Sequence, residues 1–176
     1  MFSTLGAIAK APLLAGRPRG VVVQDADVSD MRAVAAMHAA SFSRGWSAHE
    51  IERLAARPGT SIYIARSEGG GREAPLGFVI LSRDGAGPEA EAEIVSVGVP
   101  PRARRKGVGE QLMRHAVREC QTDRLGRLVL EVDETNRGAV ALYRRLGFRE
   151  VGARESYYRK GDGPPARALV MALDLA

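Results

Sequence analysis

Cysteine, histidine and aromatic residues are scarce in this 176-residue sequence, and long apolar runs are missing from it. Its one cysteine, Cys120, cannot form an internal disulfide, which favours a reducing cytoplasm over secretion. The three histidines, His38, His49 and His115, lie far apart without cysteine or carboxylate partners at ligand spacing, so we expect no metal site. No apolar stretch approaches the roughly 20 residues of a membrane-spanning helix, so we expect no membrane association.

Positive charge exceeds negative charge in the chain. Lys and Arg together number 26 against 21 Asp and Glu, which gives a formal net charge of +5 and attracts anions. Nucleic acid, a ribosomal surface and a phosphorylated cofactor all fit this description, and so does a surface that is merely well solvated. Charge alone therefore selects no function.

The chain length fits one compact domain and leaves no room for a second full one. At the N-terminus, Lys10 and Pro12 interrupt the apolar stretch that a signal peptide would need. We therefore predict a flexible or loosely packed segment over residues 1–20 and a single domain over residues 21–176.

The pattern of apolar residues predicts alternating strands and helices. Strands are predicted over residues 21–23, 61–65, 76–82, 93–99, 128–132, 149–157 and 169–175. Helix starts are predicted from capping residues: at Asp27 or Ser29, at Ser47 in a capping box with Glu50, after Gly107, and at Asn136. This order describes an α/β domain with a mixed sheet.

Three consecutive cations run into two glycines at residues 104–109, Arg-Arg-Lys-Gly-Val-Gly, where a strand gives way to a helix. The first backbone N–H groups of a helix have no partner inside it, and the helix dipole places partial positive charge there. Gly107 and Gly109 lack a Cβ, so a phosphate can approach the main chain closely. The segment predicts a pyrophosphate site.

Two common phosphate-binding patterns do not match this segment. A nucleoside triphosphatase would have Lys and then Ser or Thr after the last glycine, whereas Glu110 and Gln111 follow Gly109 here. A dinucleotide-binding fold would have a third glycine near Leu112 and an early position in the chain.

The remaining pattern, Arg/Gln-x-x-Gly-x-Gly/Ala at a strand-to-helix turn in mid-chain, resembles the acetyl-coenzyme A signature of the GNAT superfamily of N-acetyltransferases. The segment EVDETNRGAVALYRRLGF, residues 131–148, is similar to the second half of that fold. Matched segments run from about Val21 to Leu175. The resemblance implies a single-domain α/β GNAT fold with a mixed, mostly antiparallel central sheet flanked by helices, and acetyl-coenzyme A as co-substrate.

Within the superfamily, the sequence looks most like the RimI type, which acetylates the N-terminal alanine of a ribosomal protein. VLEVDETN, ALYRRLGF, the paired tyrosines of SYY and the segment FSRGWS resemble stretches of that type. Two positions depart from it. Gly45 stands in place of a proline, and Arg167 lies where an acidic residue is usual, so the acceptor specificity can differ.

The resemblance implies that Glu131 accepts a proton from the acceptor amine and that Tyr143 donates one to the departing thiolate. The pKa values of an α-amino group, about 8, a thiol, about 8.5, and a phenol, about 10, allow both transfers near neutral pH. No covalent acyl-enzyme is needed. From the residues alone, Glu131 can instead be a surface carboxylate at a strand end, and Tyr143 can pack its ring in the core.

The resemblance also implies a set of binding residues. Trp46, Tyr157 and Tyr158 would line the acceptor groove, although a strand tyrosine can equally be a core residue. Asn136 would touch the cofactor, be a plain helix cap, or do both. The other expected cofactor contacts are Val97, Gly98 and Val99 through their backbone, and Arg104, Arg105, Lys106, Gly107, Val108, Gly109 and Glu110 in the turn.

Three functions remain open on the sequence. The first is transfer of an acetyl group to the N-terminal α-amino group of a protein, with a ribosomal protein as a candidate partner and no direct nucleic-acid binding. The second is a GNAT enzyme acting on a small-molecule amine. The third is a non-catalytic acyl-coenzyme A sensor or an RNA-binding accessory protein. Presence of both Glu131 and Tyr143 favours an enzyme.

Overall fold

A computed structural model of the protein describes residues 20–42, 44–70, 73–158 and 166–175, without the side chains of residues 155–158 and 166. The predicted N-terminal segment thus lies, up to residue 19, outside the described residues. The described strands are β1 (Val21–Asp25), β2 (Thr60–Ser67), β3 (Gly77–Asp84), β4 (Glu91–Gly98), β5 (Arg127–Asp133), β6 (Arg149–Tyr158) and β7 (Ala166–Asp174). The described helices are α1 (Met31–Ser41), α2 (Ala48–Ala55), α3 (Val108–Thr122) and α4 (Arg137–Arg145).

The strands form one sheet in the order β1-β2-β3-β4-β5-β7-β6. Every neighbouring pair is antiparallel except β4 and β5, which run parallel. The predicted mixed, mostly antiparallel sheet flanked by helices is therefore confirmed. Strand β7 begins three residues before its predicted start, because Tyr158 pairs with Ala166 and Arg154 with Ala168 in a hairpin that apolar content alone does not reveal.

Strands β4 and β5 separate halfway along their length. Leu81 of β3 pairs with Ile94 while Ile80 pairs with Ser96, so Val95 is an extra residue in β4 and forms a β-bulge. The pairing of β4 with β5 stops at the same level, with Ile94 opposite Leu130. Beyond it β4 pairs only with β3 and β5 only with β7, which leaves a gap between the two parallel strands.

Each face of the sheet has its own apolar core. One, which we call the α3/α4 face, buries Leu112, Met113 and Ala116 of α3, Tyr143 of α4, and Leu128, Leu130 and Val132 of β5. The other, the α1/α2 face, buries Val34 and Met37 of α1, Ile51 of α2, and Ile64, Phe78 and Ile80 of the sheet. Since successive strand residues point to opposite faces, Glu131 projects from the α1/α2 face.

Capping residues set the starts of α2 and α4 as predicted, whereas α1 begins after Asp30, whose side chain caps no α1 backbone N–H. Asp27, and not Ser29, caps the short 3₁₀ turn Val28–Asp30 that leads into α1. The Ser47 hydroxyl accepts from the backbone N–H of Glu50, and the Glu50 carboxylate accepts from the backbone N–H of Ser47 at 2.8 Å, which completes the capping box of α2. None of the described helices has the length and apolar character needed to cross a membrane.

Candidate active site

The turn between β4 and α3 leaves six consecutive backbone N–H groups free to bind an anion. Hydrogen bonding of the main chain stops where Arg104 N–H donates to Pro101 O at 3.3 Å and resumes where Gln111 N–H donates to Gly107 O at 3.0 Å. The N–H groups of residues 105–110 donate to no acceptor among the described residues. Arg105 (φ 61°) and Gly107 (φ 75°) both adopt the left-handed conformation that produces this turn.

The charges around this turn are arranged to favour an anion. Arg105 and Lys106 are exposed, while the Arg104 guanidinium donates to Val99 O at 2.9 Å. The Glu110 carboxylate, which would repel a phosphate, is 2.9 Å from the Arg114 guanidinium and 3.8 Å from that of Arg145. Because the one acid at the helix start is neutralised, the turn fits a diphosphate.

The two glycines of the turn are glycine for different reasons. Gly107 needs its freedom of φ, whereas Gly109 is helical and has room for a side chain. A Cβ at Gly109 would lie 3.6 Å from Leu142 Cδ2 and 3.7 Å from Val99 Cγ2, which is ordinary contact distance. Packing within the protein therefore does not require a glycine at this position, and close approach of a ligand would explain it.

The far half of β4 borders the gap. Val97 and Val99 are half-buried and pack on the α3/α4 core, while Gly98 lies opposite Phe78. A Cβ at Gly98 would lie 2.4 Å from the Phe78 ring, so packing alone demands this glycine. Since β4 has no partner on the β5 side beyond Ile94, part of its backbone polar groups face the gap.

Glu131 lies at the β5 side of the gap. Its carboxylate Oε1 is 2.8 Å from Nε of Arg154, and the Glu131 side chain is only 20% exposed. Arg154 reaches it diagonally from β6 across β7, in which Ala168 is opposite Arg154 and Val170 is opposite Glu131. The Glu131 carboxylate is thus held in place by an ion pair and largely shielded from solvent. Nothing in the spacing of the sequence identifies Arg154 as its partner.

Tyr143 lies on the other face of the sheet, in the α3/α4 core. It is 6% exposed, and its ring centroid is 6.0 Å from that of Phe148 in the α3/α4 core. Glu131 and Tyr143 therefore do not share one surface. They lie on opposite faces of the sheet, in which the pairing of β4 with β5 ends at Ile94 and Leu130.

A groove of about 500 Å³ lies on the α1/α2 face and is lined by Trp46, Glu50, Arg53, Leu54, Arg57 and Val95. Ile94 is opposite Leu130 in the last pair between β4 and β5, and Val95 and Glu131 are the residues that follow this pair on the two strands. The structure thus puts Trp46, a predicted acceptor residue, in the same groove as Val95, and Glu131 projects from the same face of the sheet.

His38 of α1 fixes Trp46. The imidazole is 3% exposed and stacks between Phe42, at 4.5 Å between centroids, and Trp46, at 4.2 Å. Its Nδ1 accepts from the backbone N–H of Trp46 at 3.1 Å, and burial lowers the pKa of His38. Sequence analysis assigned His38 no role, although its spacing from Met31, Val34, Ala35 and Phe42 places it on the buried helical face.

The loop between α1 and α2 also explains the glycine that stands in place of a proline. A Cβ at Gly45 would lie 2.6 Å from Cβ and 2.8 Å from Cα of Ala39. The loop therefore lies directly on α1, and this contact needs a residue without a side chain.

Three predicted site residues, and Arg167, which departs from the family pattern, remain to be placed. Asn136 caps α4 through Oδ1, which accepts from Ala139 N–H at 3.3 Å, and it is exposed. The backbone of Tyr157 and Tyr158 belongs to β6, but their side chains lie outside the described part of the structure. Arg167 lies 3.9 Å from the Glu134 carboxylate, beside the end of β5.

Comparison with known proteins points in one direction. A model described as "Acetyltransferase (GNAT) family" matches residues 31–148. The N-alpha-acetyltransferase RimI of Mycobacterium tuberculosis is 36% identical over 65% of this chain and 68% of its own length. The [ribosomal protein bS18]-alanine N-acetyltransferase of Escherichia coli is 37% identical over 49% of this chain, a match that spans 57% of the relative.

A solved structure has the same architecture. The ribosomal-protein-S18-alanine N-acetyltransferase from Escherichia coli superposes with a TM-score of 0.77 at 24% identity, covering 89% of this chain and 94% of the other. At that identity the likeness concerns the fold.

Proposed function

The chain belongs to the acetyltransferase (GNAT) family and is an acetyl-coenzyme A-dependent N-acetyltransferase, and we propose that its acceptor is the N-terminal α-amino group of a protein. The names of its relatives suggest the acceptor class: the N-terminus of a ribosomal protein whose first residue is alanine.

One observation carries this proposal: β4 and β5 part after Ile94 and Leu130, where β4 runs on to the turn with the free backbone N–H groups and Glu131 follows in β5. The free N–H groups of residues 105–110 hold the diphosphate of the cofactor, with Arg105 and Lys106 adding attraction. The backbone of Val97, Gly98 and Val99 borders the gap and pairs with the pantetheine arm. Asn136, at the start of α4, contributes a further polar contact.

Acetyl-coenzyme A supplies an activated acyl group, so the protein has to orient the amine and move protons. Glu131 accepts a proton from the attacking α-amino group, directly or through water, and Arg154 holds its carboxylate in place. The amine nitrogen forms a bond to the acyl carbon, and the carbon–sulfur bond breaks. Tyr143 gives its phenolic proton to the departing sulfur.

The opposite placement of Glu131 and Tyr143 supports this division of labour. The acceptor enters along the groove on the α1/α2 face and meets Glu131, while the donor lies against α3 and α4 and meets Tyr143. Water and acceptor stay on one side of the sheet and the thiol product on the other.

The proposal is tested by measuring thiol release from acetyl-coenzyme A with a peptide that begins with a free alanine, and with the same peptide blocked at that amine. We expect turnover with the free peptide only. Tyr143→Phe and Glu131→Gln should each lower kcat by about 10²-fold or more, the usual contribution of a positioned acid or base, while acetyl-coenzyme A binding by calorimetry stays close to that of the parent.

Two results would contradict the proposal. Equal turnover with the blocked peptide would exclude the α-amino group as acceptor, and preferential turnover of free lysine side chains or small amines would assign the groove to another substrate. Exposed Arg118→Ala, far from the gap on α3, serves as the activity control.

A further inference from the structure

The groove beside Glu131 has a charge pattern that acetyl transfer does not require. Resting on the proposed function, we propose that this groove selects acceptors with acidic side chains just after their N-terminal residue, through Arg53 and Arg57. Both arginines line the groove: Arg53 lies in the last turn of α2, and Arg57 lies two residues beyond the end of that helix. The inference concerns specificity, and the transfer chemistry does not depend on it.

The position of the groove matches the path of a peptide. An acceptor whose α-amino group meets Glu131 has its following residues over Val95 and then along α2, because Val95 is the neighbour of Glu131 across the gap. The eight residues of α2 span about 12 Å, and an extended peptide advances about 3.3 Å per residue. The groove therefore accommodates about three or four residues after the N-terminus.

The floor of the groove is apolar and fixed. Leu54 and Val95 contribute aliphatic surface, and Trp46 contributes the ring that stacks on His38. An apolar floor accepts the backbone and small side chains of many peptides, so the charged rim decides between them.

Among the residues that line the groove, the two guanidinium groups of Arg53 and Arg57 outnumber the single carboxylate of Glu50. The Glu50 carboxylate accepts from both the N–H and the hydroxyl of Ser47, each at 2.8 Å, and these hydrogen bonds lower the pKa of Glu50. The guanidinium groups of Arg53 and Arg57 form no ion pair or side-chain hydrogen bond within the described ranges. Arg154, on the same face, is engaged by Glu131.

Two guanidinium groups that line the same groove offer planar donors to carboxylates and repel lysine and arginine. Such local recognition by two guanidinium groups differs from the effect of net charge, which attracts any anion to any part of the surface. The preference should therefore be lost when the charge of these two positions is reversed and kept when a charge elsewhere is reversed.

The test compares kcat/KM for three peptides that begin with alanine and differ only at residues two to four, which are acidic, neutral or basic. We expect kcat/KM for the acidic peptide to exceed that for the basic one by about tenfold, the combined effect of two exposed charge pairs, through KM and not through kcat. Raising the salt concentration should shrink the ratio, because exposed charges are screened.

Arg53→Glu and Arg57→Glu should each reduce the preference, and together they should reverse it. The matched control is Arg118→Glu, which makes the same change in net charge on an exposed position of α3, on the other face of the sheet. The KM for acetyl-coenzyme A should stay unchanged in all of these variants.

Equal kcat/KM for the acidic and basic peptides, or preference for the basic one, would overturn this inference while leaving N-terminal acetylation standing. Failure to acetylate any of the three peptides would overturn both. A preference that Arg118→Glu reduces as much as Arg53→Glu does would reassign it to the overall charge of the protein.

Discussion

Single residues hold the walls of the proposed acceptor groove in position, and His38 is the clearest example. Its ring is enclosed by Phe42, Trp46 and Phe78, and its Nδ1 accepts the backbone N–H of Trp46. The bond requires a neutral imidazole with its proton on Nε2. Burial favours this form because it lowers the pKa of His38, with the nearby Glu50 opposing the effect.

We expect His38→Phe to raise the KM for the peptide about fivefold, because it keeps the ring stack but leaves the Trp46 N–H without its acceptor, a loss of about 1 kcal/mol. The KM for acetyl-coenzyme A should not change. His49→Gln, at an exposed position of α2, is the control. Equal KM values for the peptide in His38→Phe and the parent would show that the hydrogen bond does not position Trp46.

The same residue predicts how stability depends on pH. Above about pH 6.5 His38 is neutral in both the folded and the unfolded chain and contributes nothing. Below that pH the unfolded chain binds a proton that the folded protein excludes, so the free energy of unfolding falls as pH falls. His115 adds to this decline, since burial also lowers its pKa. Denaturant unfolding at pH 7 and pH 5.5 should show a smaller decline for His38→Phe.

Some residues of the candidate site could be predicted from the sequence and others could not. Glu131, Tyr143 and the turn residues were found because their spacing along the chain resembles a known pattern, although their chemical roles stay predictions. Arg154 and Arg145 were not found, because they reach Glu131 and Glu110 from separate elements. Gly98 was expected to serve the cofactor, yet contact with Phe78 already demands it.

At the scale of elements, two glycine variants in the turn before α3 distinguish effects on stability from effects on acetyl-coenzyme A binding. Gly107→Ala should lower the free energy of unfolding by about 1 kcal/mol, because alanine is strained at φ 75°, and should weaken acetyl-coenzyme A binding. Gly109→Ala should leave stability equal or raise it by up to about 1 kcal/mol, because the position is helical and has space.

We nevertheless expect Gly109→Ala to weaken acetyl-coenzyme A binding about tenfold, since its methyl group would occupy the surface that the diphosphate approaches. Thermal unfolding and calorimetry on the two variants provide both measurements. Normal binding by a stable Gly109→Ala protein would show that the diphosphate does not contact this part of the turn.

The elements themselves were largely predictable, because caps and periodicity are local. Ser47 with Glu50 identifies the start of α2, and the apolar run of residues 128–132 identifies β5. Strand ends were less predictable where pairing extends a strand beyond its apolar residues, as it does at the start of β7. The bulge at Val95 depends on the register against β3, and a single strand does not contain that information.

At the scale of the whole molecule, Cys120 reports on opening of the fold. Its thiol is fully buried in the α3/α4 core, and desolvation raises the pKa of Cys120 to about 11. Neither thiolate nor access is available for reaction while the core is intact.

We expect a thiol reagent to label Cys120 only at the rate at which the domain opens. Acetyl-coenzyme A at 100 times its Kd should slow labelling about a hundredfold, because a ligand that binds only the folded protein stabilises it by about 2.7 kcal/mol. Mass spectrometry after timed labelling gives the rate. Fast labelling that ignores both the ligand and denaturant would mean that the core around α3 is open in the native state.

Four residue pairs connect β4 to β5, fewer than between any other neighbouring strands of the described sheet. The proposed site lies at this junction, so we expect it to lie where the backbone cohesion of the sheet is least. Heating should then disrupt the proposed site before it unfolds the rest of the domain, and a protein that has lost its activity should still be largely folded.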